Sequence, residues 1–203
     1  GAESTAEGAS RTYYTYDQSG RLLSRNLEGQ VSEAFVYDGM GRLTASTDVN
    51  GGTTSFVFND TATTTTVTLA SGYVTVTTYN KAGDLISQAD SGSYVAGGTA
   101  ANQYDKLGRL RIATDPVGLN RYYAYDKSGR LIAEVNHYGD MTEYRYDANN
   151  KIVATTRYAT RLTAGQLAIL QNPDSVFEPG AIRPAASGAD LWSWSVYDKL
   201  GQV

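Results

Sequence analysis

The heptad Tyr125-Asp126-Lys127-Ser128-Gly129-Arg130-Leu131 is repeated along this 203-residue chain. Full copies of the pattern Tyr-Asp-x-x-Gly-Arg-Leu start at Tyr16, Tyr37, Tyr104 and Tyr125, and weaker copies start at Tyr79, Tyr146 and Tyr197. Repetition of one short motif is typical of a repeat architecture, in which every copy forms the same supersecondary unit.

The copies are spaced by 21 residues. The step from Tyr16 to Tyr37 is 21 residues, and two further steps of that size reach Phe58 and Tyr79. Phe58 therefore marks a degenerate copy that keeps its register although the rest of the heptad is lost. A second turn pattern, which ends in glycine, follows eleven residues after the aromatic residue, at 48–51, 69–72, 115–118 and 136–139.

Each repeat is predicted to be a β-hairpin. Two turns in every 21 residues leave about seven residues for each strand, which is within the usual range. An aspartate can accept hydrogen bonds from the turn backbone, and glycine supplies the positive φ that tight hairpin turns need. Leu131, Ala133 and Val135 alternate with polar residues, as the residues of a strand do. The sequence predicts an all-β array of antiparallel hairpins.

The five fixed positions of the full heptads are predicted to be structural. The tyrosine packs in same-face columns, aspartate and glycine turn the chain, arginine pairs with a nearby carboxylate, and leucine starts the next strand. Because a repeat gives every aspartate the same environment, turn capping is favoured over acid–base catalysis or calcium binding. The motif residues are Tyr16, Asp17, Gly20, Arg21, Leu22, Tyr37, Asp38, Gly41, Arg42, Leu43, Tyr104, Asp105, Gly108, Arg109, Leu110, Tyr125, Asp126, Gly129, Arg130 and Leu131.

Two stretches interrupt the period. Residues 91–100 are predicted to be a small-residue loop that holds four extra residues. Further on, Thr163 and Gln166 form a capping-box pattern that predicts one short helix near 163–172. The predicted segments are a disordered lead-in or cloning remnant at 1–11, the repeat array at 12–157, a helix-and-loop insertion at 158–191, and a resumed, truncated repeat at 192–203.

The composition disfavours several functions. A net charge of −4 and a pI near 5.0 argue against binding to nucleic acid or to an anionic membrane. The sequence has no 18-residue apolar stretch, so insertion into a membrane is not expected. The chain has no cysteine, and its one histidine, His137, falls in a predicted turn, which leaves too few members for a triad or a zinc site. An enzyme such as a glycosidase or protease is suggested only by abundant aspartate and tyrosine. We predict no catalytic residue, cofactor or metal.

Three aromatic residues are candidates for facing a ligand: Tyr138, Trp192 and Trp194. Aromatic faces stack on sugar rings, so glycans are candidate ligands, whereas packing within the fold is the alternative for the tyrosines. The two tryptophans alternate with serines along a predicted strand. Their spacing is compatible both with closing the insertion against the sheet and with a binding patch.

The heptads resemble the YD repeat, also called the RHS repeat, over roughly residues 13–157 and 192–203. The resemblance implies a β-strip that curves or spirals into a hollow shell. In insecticidal toxin complexes and polymorphic RHS toxins such shells enclose a C-terminal toxic domain, and in teneurins a similar shell serves cell-surface adhesion. The stretch Asp115-Pro116-Val117-Gly118 superficially matches the self-cleavage motif of the family, but it occupies the ordinary second turn of the repeat.

The resemblance implies a non-enzymatic structural segment of a large bacterial RHS protein, whose shell encapsulates or presents a toxin or effector. The alternative is a carbohydrate-binding or cell-surface adhesion module that uses tyrosine and tryptophan faces. The expected partners are the remainder of the repeat array, an enclosed toxin or effector, and glycans, with neither nucleic acid nor membrane insertion. The expected location is secreted or on the surface of a bacterium.

Overall fold

The computed structural model describes residues 11–28, 30, 32–92, 95–177 and 179–197. The described chain is almost entirely β-strand, with one short α-helix and one turn of 3-10 helix. The strands are β1 Thr12–Tyr16, β2 Leu22–Leu27, β3 Glu33–Tyr37, β4 Leu43–Thr47, β5 Thr53–Asn59, β6 Thr64–Thr68, β7 Val74–Tyr79, β8 Leu85–Gly92, β9 Val95–Tyr104, β10 Leu110–Thr114, β11 Asn120–Tyr125, β12 Leu131–Val135, β13 Met141–Tyr146, β14 Ile152–Arg157 and β15 Leu191–Trp194. The helix α1 is Ala164–Leu170, and the 3-10 turn is Pro179–Ala181.

The chain divides into two compact units, residues 1–98 and 99–203. In the first unit, strands β1 to β8 pair in chain order, and every pair is antiparallel. In the second unit, strands β9 to β15 do the same. The predicted all-β array of antiparallel hairpins with one short helical insertion is confirmed.

The heptad forms the turn of each hairpin. In the copy at Tyr16, the N–H of Gly20 donates to the carbonyl of Asp17 at 3.0 Å, and the N–H of Asp17 donates to the carbonyl of Arg21 at 2.9 Å. Gly20 has a φ of 78°, which glycine adopts without strain. The Asp17 Oδ1 also accepts the N–H groups of Ser19 and Arg21. The same bonds recur at Asp38, Asp105 and Asp126.

The prediction of a loop at 91–100 is wrong for the described residues of this stretch, and residues 93 and 94 lie outside them. Strand β8 continues to Gly92 and β9 starts at Val95, so these are the two longest strands of the array, with 8 and 10 residues. Backbone ladders do not require large side chains, and a Cβ on Gly97 would lie 3.3 Å from the carbonyl oxygen of Asp90. The glycine therefore permits close backbone approach within paired strands. Small residues were misleading evidence for a loop.

The buried core lies in the second unit. Leu170 of α1 and Ile182 are almost completely buried against Ile112, Tyr122 and Val135 of the sheet. Among the described residues of the first unit, none is fully buried. The insertion therefore covers one face of the second unit's sheet. The predicted division at 1–11, 12–157, 158–191 and 192–203 stays a prediction, and residues 1–10 and 198–203 lie outside the described residues.

Helix α1 begins where the capping box predicts. The Thr163 Oγ1 accepts the N–H of Gln166 at 3.3 Å, and the Gln166 Oε1 accepts the N–H of Thr163 at 2.9 Å. Two free N–H groups at the helix start are thereby satisfied. Across the residues that the structure describes, no helix has the length and apolar character needed to cross a membrane.

Candidate functional site

Each motif arginine forms an ion pair with the aspartate of its own turn. The shortest N–O distances are 2.6 Å for Arg21–Asp17, 2.8 Å for Arg42–Asp38, 2.7 Å for Arg109–Asp105 and 2.7 Å for Arg130–Asp126. The two residues flank the turn, so the hairpin bond that closes the backbone also brings the side chains together. One carboxylate thus caps the turn with one oxygen and holds the arginine with the other.

Each of these arginines also lies over the aromatic ring of the next copy. The distances from the guanidinium carbon to the ring centroid are 5.0 Å for Arg21–Tyr37, 4.3 Å for Arg42–Phe58, 5.1 Å for Arg109–Tyr125 and 4.9 Å for Arg130–Tyr146. Such cation–π contacts contribute about 0.5–1 kcal/mol at exposed sites. In the degenerate copy, the Phe58 ring takes the place of the tyrosine ring beneath Arg42.

The hydroxyl groups of Tyr37 and Tyr146 donate hydrogen bonds to the backbone of the preceding copy. The Tyr37 hydroxyl donates to the carbonyl of Leu22 at 3.0 Å, and the Tyr146 hydroxyl donates to that of Leu131 at 2.7 Å. Both carbonyls belong to a motif leucine. We call the recurring set of motif aspartate, arginine and next aromatic residue the motif ladder.

Two further contacts tighten the motif ladder. The Nη1 of Arg109 donates to the carbonyl of Asp126 at 3.2 Å, so one arginine touches two successive turns. A Cβ on Gly41 would lie 2.9 Å from the Nη1 of Arg21. The motif glycine therefore has two roles at this position: it adopts positive φ, and it leaves room for the arginine of the preceding copy.

The motif ladder resumes beyond the insertion. The Lys151 Nζ lies 4.6 Å from the ring centroid of Tyr197, and the Tyr197 hydroxyl donates to the carbonyl of Ile152 at 2.9 Å. These are the contacts that Arg130 and Tyr146 make one repeat earlier. The chain leaves the array after β14 and returns with β15 at the next position of the same motif ladder.

In two copies without the arginine, other hydrogen bonds replace the ion pair. In the turn after Tyr79, the Nδ2 of Asn80 donates to Asp84 at 2.9 Å. In the degenerate copy, Thr63 has a φ of 52°, and its hydroxyl donates to the carbonyl of Tyr79. Neighbouring hairpins therefore stay linked where the heptad has decayed.

The pKa values of the motif aspartates reflect these bonds. Hydrogen bonds from the backbone and side chain of Arg42 hold the pKa of Asp38 below its ordinary value. Burial alone would raise the pKa of Asp126, but the hydrogen bonds from Arg130 outweigh it and the pKa is again lowered. Lowered values keep these carboxylates ionised, as an ion-pair role requires.

A buried carboxylate anchors the insertion to the sheet. Glu143 of β13 accepts the Nη2 of Arg183 at 2.5 Å and its Nε at 2.9 Å, and it also accepts the hydroxyl of Tyr158. Burial would raise the pKa of Glu143, but these bonds leave it below its ordinary value. Burial and the bond to Glu143 raise the pKa of Tyr158 to about 12. Sequence reasoning missed this anchor because Glu143 and Arg183 have no periodic relationship.

The candidate ligand-facing aromatic residues are exposed. Trp192 and Trp194 are 48% and 68% exposed, and their rings are nearly parallel with centroids 6.1 Å apart. Tyr138 lies in the 136–139 turn, where its ring contacts His137, and Arg161 lies 5.3 Å from the centroid. His137 itself is half-buried. The ligand role of the three aromatic residues stays a prediction.

The described residues contain no group of three His, Cys, Asp or Glu side chains placed to hold a metal ion. The carboxylates of the motif ladder are instead spread along the array, each paired with the arginine of its own turn. Hairpins interlocked by a charged and aromatic ladder define the class: a β-hairpin repeat protein.

Two family models match the chain: the teneurin YD-shell at residues 3–88 and the RHS repeat at residues 125–163. Both matches fall on the hairpin copies described above. They confirm the predicted resemblance to the YD (RHS) repeat over these two stretches. No curated protein matches the chain.

Solved toxin-complex structures are also similar. The Photorhabdus luminescens Tc holotoxin pore with a mutant TccC3 matches at 13% identity and a TM-score of 0.34, covering 72% of this chain and 11% of that chain. The TcdB2-TccC3-TEV crystal structure matches at 13% identity and a TM-score of 0.31, covering 75% and 12%. The chain spans about a tenth of the length of these structures.

Proposed function

We propose that the chain is a non-enzymatic structural segment of a large bacterial RHS/YD-repeat protein, contributing to a β-shell that encapsulates or presents a toxin or effector. The observation that carries the proposal is the motif ladder. In four pairs of successive copies, the motif arginine joins its own turn to the aromatic residue of the next copy. Across the insertion, Lys151 makes the equivalent contact with Tyr197.

The motif ladder allows the sheet to be extended by further repeats. Because each contact links only neighbouring hairpins, further repeats can be added without changing the bonds already made. The YD-shell and RHS-repeat matches support the same role. The expected partners are therefore the remainder of the repeat array and an enclosed toxin or effector.

The carboxylates support a non-enzymatic role. General acid–base chemistry needs two groups whose environments push their pKa values apart. Asp17, Asp38, Asp105 and Asp126 instead make the same bonds to their turn and its arginine, and the pKa of each is lowered. An acidic chain with these features fits a secreted or surface-displayed bacterial wall that binds neither nucleic acid nor the interior of a membrane.

Electron microscopy of the intact parent protein tests the proposal. We expect a closed shell in which this segment forms part of the wall. A parent carrying neutral substitutions of several motif arginines should give open or heterogeneous particles, whereas substitutions of surface lysines should not. An open, flexible string of hairpins in the unmodified parent would overturn the proposal.

A second candidate function is carbohydrate binding or adhesion, favoured by the exposed, parallel pair Trp192 and Trp194. Exposed indole faces stack on sugar rings. A glycan array probed with the chain should give signals that Trp194→Ala abolishes. Signals equal to background on every glycan, or signals unchanged in the variant, would contradict this function.

A further inference from the structure

The second unit contains a groove of about 650 Å³ that the motif ladder does not explain. Two successive motif turns, at 105–109 and 126–130, form one wall, and residues 174–177 of the insertion form the other. The insertion thus converts an open row of turns into a concave site. Grooves of this size hold several side chains of a ligand.

The rim of the groove is apolar and exposed. Leu107 is 77% exposed and Val176 is 96% exposed, although both are large hydrophobic side chains. Phe177, also in the lining, is half-buried beneath the guanidinium of Arg111 at 5.5 Å. Exposed apolar side chains grouped around a concavity mark an interaction site more often than scattered ones do.

The groove carries the opposite charge to the chain. Its lining includes three carboxylates but five cationic side chains: Lys106, Arg109, Arg111, Lys127 and Arg130. The chain as a whole has a net charge of −4. A local positive excess within an acidic protein attracts acidic partners to this one place.

One of the five cationic side chains of the groove, Arg111, is buried. Its Nε donates to the carbonyl of Tyr123 and its Nη1 donates to that of Pro173, both at 2.9 Å. Its ion pair with Asp105 is long, 3.9 Å, and the same carboxylate pairs with Arg109 at 2.7 Å. One carboxylate is therefore shared between two guanidinium groups, so the charge of Arg111 is only partly compensated and adds to the positive potential of the groove.

We propose that this groove binds an acidic peptide segment that carries apolar side chains. The carboxylates of the peptide pair with the cationic side chains of the groove, and its apolar side chains pack on Leu107 and Val176. A nucleic acid would satisfy the charge but leave the apolar rim unmatched. The proposal is separate from the shell role, because binding of a peptide by the isolated chain does not require a closed shell.

Fluorescence anisotropy with the full 203-residue chain tests the proposal. The probe is a short fluorescent peptide that alternates glutamate with leucine, and the comparison peptides alternate lysine with leucine and glutamate with serine. We expect the glutamate–leucine peptide to bind at least about tenfold more tightly than either comparison, which is about 1.4 kcal/mol. Equal binding of the glutamate–serine peptide, or tighter binding of a single-stranded oligonucleotide, would overturn it.

Matched variants locate the site. Lys106→Glu and Leu107→Ser change the groove, whereas Lys81→Glu and Met40→Ser change exposed residues at the same turn positions of other copies. We expect the groove variants to weaken binding about tenfold and the controls to change it less than about twofold. Circular dichroism checks that all four fold. Equal effects of groove and control variants, or no effect of the groove variants, would contradict the proposal.

Discussion

Arg130 lies over the ring of Tyr146, 4.9 Å from its centroid, while its Nε donates to the Oδ2 of Asp126 at 2.7 Å. One guanidinium thereby holds its own turn with its edge and the next hairpin with its face. The planar guanidinium offers an edge for the carboxylate and a face for the ring, which suits an arginine to this position of the heptad.

Replacing Arg130 by glutamine should destabilise the second unit. The variant loses a charge-assisted bond and a cation–π contact, so we expect the free energy of unfolding to fall by about 1–2 kcal/mol. Urea denaturation of the purified chain measures it. Arg130→Lys should lose less, because Lys151 makes the equivalent contact with Tyr197.

The matched control is Arg121→Gln. Arg121 is an exposed partner of Glu134 at 3.5 Å, and such pairs contribute about 0–1 kcal/mol. A control that destabilises the unit as much as Arg130→Gln would show that the ladder contacts add nothing.

Gly41→Ala and Gly129→Ala separate the two roles of the motif glycine. Both glycines have a φ of 83°, so both substitutions should cost about 1–2 kcal/mol in left-handed strain. A Cβ at 41 also meets the Nη1 of Arg21, whereas a Cβ at 129 meets no atom within 4 Å. We expect Gly41→Ala to cost about 0.5 kcal/mol more, since it displaces a ladder contact. Equal losses in urea denaturation would contradict this.

The sequence predicted the hairpins because their signals are local. The turn aspartates and glycines and the capping box at Thr163 each depend on residues within one turn, and the 21-residue period depends only on the spacing of neighbouring copies. The pairing of Arg130 with Tyr146 was not predictable in the same way. In a strict repeat, every arginine is equally regular with respect to the tyrosine before it and the tyrosine after it, so periodicity does not distinguish them.

The anchor of the insertion was also beyond sequence reasoning. Glu143 and Arg183 lie 40 residues apart, on a strand and in an irregular segment. Their meeting depends on how the insertion folds back over the sheet. A single glutamate within a strand of alternating residues gives no sign that it faces the buried side.

Removing the carboxylate of this anchor should loosen the insertion. Glu143→Gln weakens two bonds from Arg183 within a buried site, which we expect to cost about 2–3 kcal/mol. Limited proteolysis should then cut within residues 158–191 at protease concentrations that leave the unmodified chain intact. Glu134→Gln, on the neighbouring strand, is the control. Equal protection of both variants would show that the ion pair does not hold the insertion.

Tyr158 should make the stability of the second unit sensitive to alkali. Its folded pKa is raised to about 12, above an unfolded value near 10, so its contribution is fully present below about pH 10 and is lost as the pH rises through about 12. The stability difference between the unmodified chain and Tyr158→Phe should therefore narrow between pH 8 and pH 11. Thermal denaturation measures it, and a constant difference would contradict the raised pKa.

The motif aspartates should determine the acid sensitivity of the array. Their folded pKa values are lowered, so the stability they contribute is fully present above the unfolded pKa near 4 and is lost as the pH falls through the folded values. The melting temperature should be flat from pH 7 to about pH 5 and should fall steeply below about pH 4. In a chain carrying Asp38→Asn and Asp126→Asn, the melting temperature should be lower at pH 7. It should also fall less below pH 4, because this chain takes up fewer protons when it unfolds. If both chains lost the same stability on acidification, the ladder aspartates would not be the groups that titrate.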